Sequence, residues 1–75
     1  MQMTVRSRQI ASNVRAEMAR ASVTQTRMGQ DLQFSQQSIS RRLNGHVPFT
    51  VDELDVIADY LGVPLAALIA GQVVA

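Results

Sequence analysis

The sequence predicts an all-α fold of five short helices around one core, and three observations carry that prediction. Thr24, Ser35 and Thr50 each stand just ahead of a run whose apolar residues recur every three or four positions, the place of a helix N-cap. Gly45 and Gly62 stand just past the ends of two of those runs, where a left-handed residue closes a helix. No segment ahead of the last few residues alternates apolar and polar side chains long enough to form a strand. The chain has 75 residues, 47% of them apolar. That is enough for a single small domain over residues 1–75, with little left for a second core.

The first helix is expected over residues 5–21, with Thr4 or Ser7 as its cap and Ile10, Val14 and Met18 as its inner stripe. The second runs from Gln25 to about Leu32, capped by Thr24, and the third from Gln36 to about Asn44, capped by Ser35. Met28, Leu32, Phe34, Ile39 and Leu43 can meet inside this pair, which leaves Gln36, Gln37, Ser40 and Arg41 outside. Two short helices joined by a tight turn, over residues 24–45, make a helix-turn-helix unit of the size that fits a major groove. The fourth helix has the fullest start: Thr50 with Glu53 three residues on makes a capping box, and Phe49 and Leu54 are spaced as a hydrophobic staple. Val51, Leu54, Ile57, Ala58 and Leu61 form its expected buried face, and Gly62 ends it. Pro64 suits the start of a fifth helix over residues 65–70, stopped by Gly71. Residues 45–49 form a loop in which Pro48 holds Val47 extended.

The net charge of +1 hides a division. All seven basic residues, each an Arg, lie in residues 1–46 against two acids, which makes that part +5. Residues 47–75 hold Asp52, Glu53, Asp55 and Asp59 and no base, which makes them −4. A polyanion is steered to the basic part, and Arg can form forked hydrogen bonds to phosphate and guanine. The chain has no Cys, which excludes disulfides and thiolate metal sites. The longest apolar run, residues 63–70, falls well short of the ~20 residues of a membrane span, and no signal peptide is visible, so a cytoplasmic location is expected. His46 is the only histidine, with no partners at metal-ligand spacing or in a hydrolytic triad. It reads equally as a loop residue or a phosphate contact. No cofactor motif is present, and no cofactor, metal or enzymatic activity is expected.

With these residues in place, the chain resembles the phage repressor and Cro-type helix-turn-helix domains, the lambda repressor-like fold. The likeness covers residues 10–69. It rests on Thr24-Gln25, Met28-Gly29, Ser35-Gln36-Gln37-Ser38-Ile39, Asn44-Gly45, and Leu54 through Leu61-Gly62-Val63. The resemblance implies a transcriptional regulator that binds double-stranded operator DNA. It implies that Gln36 and Gln37 face base edges, and that Ser40 and Arg41 face bases or the adjacent phosphate. It places Gln25 on a backbone phosphate and Asn44 near the backbone. Ser35, at an open helix start, and Arg27 and Arg42 join the phosphate-contacting set, Arg42 with its stem laid on the core. Two positions depart from the family pattern. Gln33 stands where the turn residue is usually Gly, and so must take a left-handed conformation. Arg42 stands where an apolar residue is usual, with Leu43 after it, which fits either a slightly rotated helix or an Arg42 whose stem lies on the core and whose guanidinium reaches a phosphate.

A domain of this size suits a Cro-like regulator or a short immunity repressor. Both a homodimer on a two-fold site and a monomer fit the sequence. A reading from another class is a protein-binding module, such as an antitoxin-like domain, that uses helices four and five and the tail over residues 71–75. Val56, Tyr60 and the apolar Val73-Val74-Ala75 either form a self-association patch or are scattered surface residues. Arg15 and Arg20 read as solvated charges, and Arg6 and Arg8 as a basic arm or the start of helix one.

Overall fold

The computed structural model describes residues 5–70. It contains α1 (Val5–Arg20), α2 (Gln25–Leu32), α3 (Gln36–Leu43), α4 (Val51–Leu61) and α5 (Leu65–Ile69), with no strand among the described residues. Thr4, Gly71 and the tail at 71–75 lie outside those residues. Ser7 lies inside α1 and is not its cap.

Each helix from α2 to α4 starts where a side chain satisfies the free N–H groups of its first turn. Thr24 Oγ1 accepts from the Arg27 N–H at 3.1 Å, and Ser35 Oγ accepts from the Ser38 N–H at 3.1 Å. At α4 the box closes in both directions: Thr50 Oγ1 accepts from the Glu53 N–H at 3.0 Å, and Glu53 Oε1 accepts from the Thr50 N–H at 2.9 Å.

The helix ends share one device. After α1, α2, α3 and α4, a residue with positive φ turns the chain, and the next N–H reaches back five residues to a carbonyl: Val23 to Met18, Phe34 to Gly29, His46 to Arg41 and Val63 to Ala58. This is the Schellman closure. Gly45 and Gly62 supply the left-handed residue in the last two, but Ser22 (φ 56°) and Gln33 (φ 62°) supply it in the first two. Ser22 also explains why α1 stops at Arg20, one residue short of the expected end. Asn44 closes α3 as its cap, and Ala70 is already extended beyond α5.

The core gathers Ala11, Val14 and Met18 from α1, Met28 from α2, Ile39 and Leu43 from α3, Leu54, Ile57 and Ala58 from α4, and Leu68 from α5. Five small helices reach one centre because α3 packs on both α1 and α2, while α5 packs on both α1 and α4. Ile10, Leu32, Phe34, Phe49 and Leu61 lie half-buried around it. Val51 departs from the expected buried face of α4: it is 71% exposed. It sits in the first turn, where Phe49 from ahead of the cap covers the core instead. Asn13 ties the middle of α1 to the end of α5, its Nδ2 donating to the Leu68 carbonyl at 3.0 Å and the Ala70 carbonyl at 2.6 Å.

Left-handed backbone costs a residue with a Cβ about 1–2 kcal/mol, and glycine escapes that cost at the expense of a floppier unfolded chain. Gln33→Gly and Ser22→Gly are therefore expected to raise stability, each by about 0.5–1 kcal/mol, read as a higher urea midpoint. A lowered midpoint would contradict the assignment of strain to these two turns.

Candidate nucleic-acid interface

The interface begins with a close crossing. Gly29 of α2 is buried beneath the turn, and a Cβ there would lie 3.4 Å from the Phe34 carbonyl oxygen and 3.5 Å from Ile39 Cγ2. A Cβ there would already be in van der Waals contact with the turn and with α3, so a small residue at 29 suits the close approach of the two helices. Gln33 then turns the chain and Ser35 starts α3.

Ile39 is fully buried and Leu43 nearly so. Being four residues apart, they define the inner face of α3 and direct residues 36, 37, 40, 41 and 44 outward. Gln36, Gln37, Arg41 and Asn44 are exposed, and Ser40 is half-buried. Asn44 Nδ2 donates to Ser40 Oγ at 3.2 Å, which links two expected contact residues along the same face. Gln25 is half-buried and Ser35 exposed at the starts of α2 and α3. Each start presents N–H groups and the positive end of a helix dipole, which suits an anionic oxygen.

Arg27 is exposed, and its Nε donates to Asp31 Oδ2 at 2.9 Å. The Tyr60 hydroxyl donates to the same oxygen, joining α4 to α2. These bonds, that from Tyr60 first and that from Arg27 second, hold the Asp31 carboxyl below its ordinary value. The hydrogen bond to Asp31 raises Tyr60 in turn. Tyr60 is half-buried against the core. Its hydroxyl is engaged within the fold, so Tyr60 joins α4 to α2 rather than standing as a scattered surface residue. Val56, four residues earlier on α4, is half exposed.

Arg42 corrects an expectation. Its stem does lie low, but its guanidinium does not point out toward a phosphate. Nε donates to Glu53 Oε1 at 3.1 Å, and Nη1 donates to the Ser38 carbonyl at 3.1 Å and to Ser38 Oγ. The guanidinium also lies 5.8 Å from the centre of the Phe34 ring, within the range of a cation–π contact. An apolar site is thus filled by a folded-back Arg whose charge is met by α4. Burial alone would push the Glu53 carboxyl up, but the Thr50 N–H and Arg42 outweigh it and hold it below its usual 4.5.

Arg15 is exposed, as a solvated charge should be, and it also has a partner in the fold. Its Nη1 donates to the Leu43 carbonyl, which places a cation at the negative end of α3. Arg20 pairs with Glu17 on α1. Arg15, Glu53 and Tyr60 support α2 or α3 from other parts of the chain, Tyr60 through Asp31 of α2 itself. Of these only Glu53 had a sequence signal, its place in the capping box. Among the described residues no group of His, Cys, Asp or Glu side chains could hold a metal ion, and no helix is long and apolar enough to cross a membrane.

A capped helix packed on one face, carrying amides and a guanidinium on the other and joined to its predecessor by a tight turn, defines a helix-turn-helix DNA-binding domain. The helix-turn-helix domain family model matches residues 9–70, and the chain belongs to that family. No curated protein and no solved structure matches it.

The depressed Glu53 carboxyl has a consequence for stability. A group whose folded value lies below its unfolded value stabilises the fold above the unfolded value, here near 4.5, and the contribution is lost as pH falls through the folded one. Glu53→Gln is expected to flatten the loss of stability below pH 4.5 relative to the parent chain. Superimposable acid-unfolding curves would show that the pair contributes nothing.

Proposed function

We propose that this chain is a sequence-specific transcriptional regulator of phage type, a Cro-like protein or a short immunity repressor. It docks α3 in the major groove of operator DNA and occludes or recruits polymerase there. The outward array of Gln36, Gln37, Ser40 and Arg41 on a helix locked by Ile39 and Leu43 carries this reading. Gln presents a donor and an acceptor that match the N7 and N6 edge of adenine, and Arg presents two donors that match the O6 and N7 edge of guanine. Gln25, Ser35, Arg27 and Asn44 flank that array and suit backbone oxygens, which position the domain without reading sequence. The act is binding rather than catalysis, with no cofactor. The location that follows from the partner is the DNA of a bacterial cell.

The test is selection of sites from random duplexes followed by footprinting on the recovered sequence. Gln36→Ala or Arg41→Ala should weaken the selected site by about 1–3 kcal/mol and relax preference at one position. Arg27→Ala should weaken all duplexes alike and reduce the salt slope by about one. A two-fold site would indicate a pair of copies and an asymmetric site a single one. Affinity indifferent to salt and to Gln36 and Arg41 would overturn the proposal.

A further inference from the structure

A continuous line of hydrogen bonds runs from the cap of α3 to the cap of α4. Ser35 Oγ receives the Ser38 N–H at 3.1 Å. Ser38 receives the Arg42 guanidinium on both its carbonyl and its hydroxyl. Arg42 Nε reaches Glu53 Oε1 at 3.1 Å, and that same oxygen receives the Thr50 N–H at 2.9 Å. Gln36 and Gln37 lie between the first two members of this line. The side chains of Arg42 and Glu53 are only 19% and 20% exposed, so the pair is screened less than a surface ion pair.

Two consequences follow for a helix that reads bases. The line sets the pose of α3 against α4 independently of the packing of Ile39 and Leu43, and base readout depends on such support from side chains that touch no ligand. It also neutralises a cation. A free Arg at the outer end of α3 would add affinity for any phosphate backbone, whatever the sequence.

We propose that Glu53 is a specificity-determining positioning residue: by holding Arg42 against Ser38 it fixes the pose of α3 and withholds one positive charge from non-specific DNA. This rests on α3 being the reading helix. Glu53 gives binding no net affinity; it widens the gap between right and wrong sequences. Removing its charge therefore strengthens binding to unrelated DNA while discrimination falls, whereas a general loosening of the fold weakens binding to both.

The experiment measures fluorescence anisotropy over a salt series with two probes, the duplex recovered by selection and a scrambled duplex of the same length and composition. Glu53→Gln keeps an oxygen for the Thr50 N–H but loses the charge. It is expected to bind the scrambled duplex more tightly, with a salt slope steeper by about 0.9, and to lose about tenfold in the ratio of selected to scrambled affinity. Adding Arg42→Met to Glu53→Gln removes the released cation and should abolish the gain on scrambled DNA. Arg42→Lys keeps the charge but has no planar fork to engage Ser38 and Glu53 together, and should lower the ratio in a chain of unchanged net charge. It also covers the case in which Glu53→Gln fails to fold, which melting curves detect. An unchanged ratio in Glu53→Gln and Arg42→Lys, or a parallel loss on both duplexes, overturns the proposal and leaves the function standing. A parent chain that does not distinguish the two duplexes overturns both.

Discussion

Burial of Ile39 and Leu43 is the constraint on which the candidate interface depends. Both are almost wholly withdrawn from solvent, and α3 packs chiefly on α1 and α2. With two apolar side chains four apart pinned inward, the rotation of an eight-residue helix is set. Its outward residues are then fixed without any interaction of their own. So short a helix is marginal in isolation. Its order comes from that burial, from the Ser35 cap and from the Arg15 guanidinium at its last turn.

Electrostatics in this fold is more internal than the charge count suggests. Arg15, Arg20, Arg27 and Arg42 each bond to a carbonyl or carboxylate of the chain itself. The +5 of residues 1–46 is therefore not a uniform cationic surface. Arg41 is exposed on the outer face of α3, while Arg42, its neighbour in sequence, is turned back onto α4. Adjacent residues of one type thus serve opposite ends, one facing solvent and one joining helices. Asp31 does for Arg27 what Glu53 does for Arg42, but at an exposed site, where solvent weakens the pairing.

The helix starts were readable because an N-cap is a local device: Thr24, Ser35 and Thr50 each bond within three residues. The outward set on α3 was readable because spacing alone separates it from Ile39 and Leu43. The left-handed turn at Gln33 was legible through the resemblance, since only a turn residue stands there. The equivalent turn at Ser22 was not, because nothing in a serine marks positive φ. Val51 escaped because periodicity cannot tell that a first turn overhangs the core. The direction of Arg42 and the tasks of Arg15, Asp31 and Tyr60 depend on partners 11 to 29 residues away. Such pairings are decided by tertiary placement, and no local pattern announces them.

The central claim is that the outer face of α3 is the surface that meets duplex DNA. The most direct measurement is a map of amide chemical shifts, backbone and side chain, as the selected duplex is titrated into labelled protein at low salt. The account predicts the largest changes at the Gln36 and Gln37 side-chain amides and along the backbone at the starts of α2 and α3. Changes centred instead on Val56 and Ile69, with α3 unmoved, would contradict it.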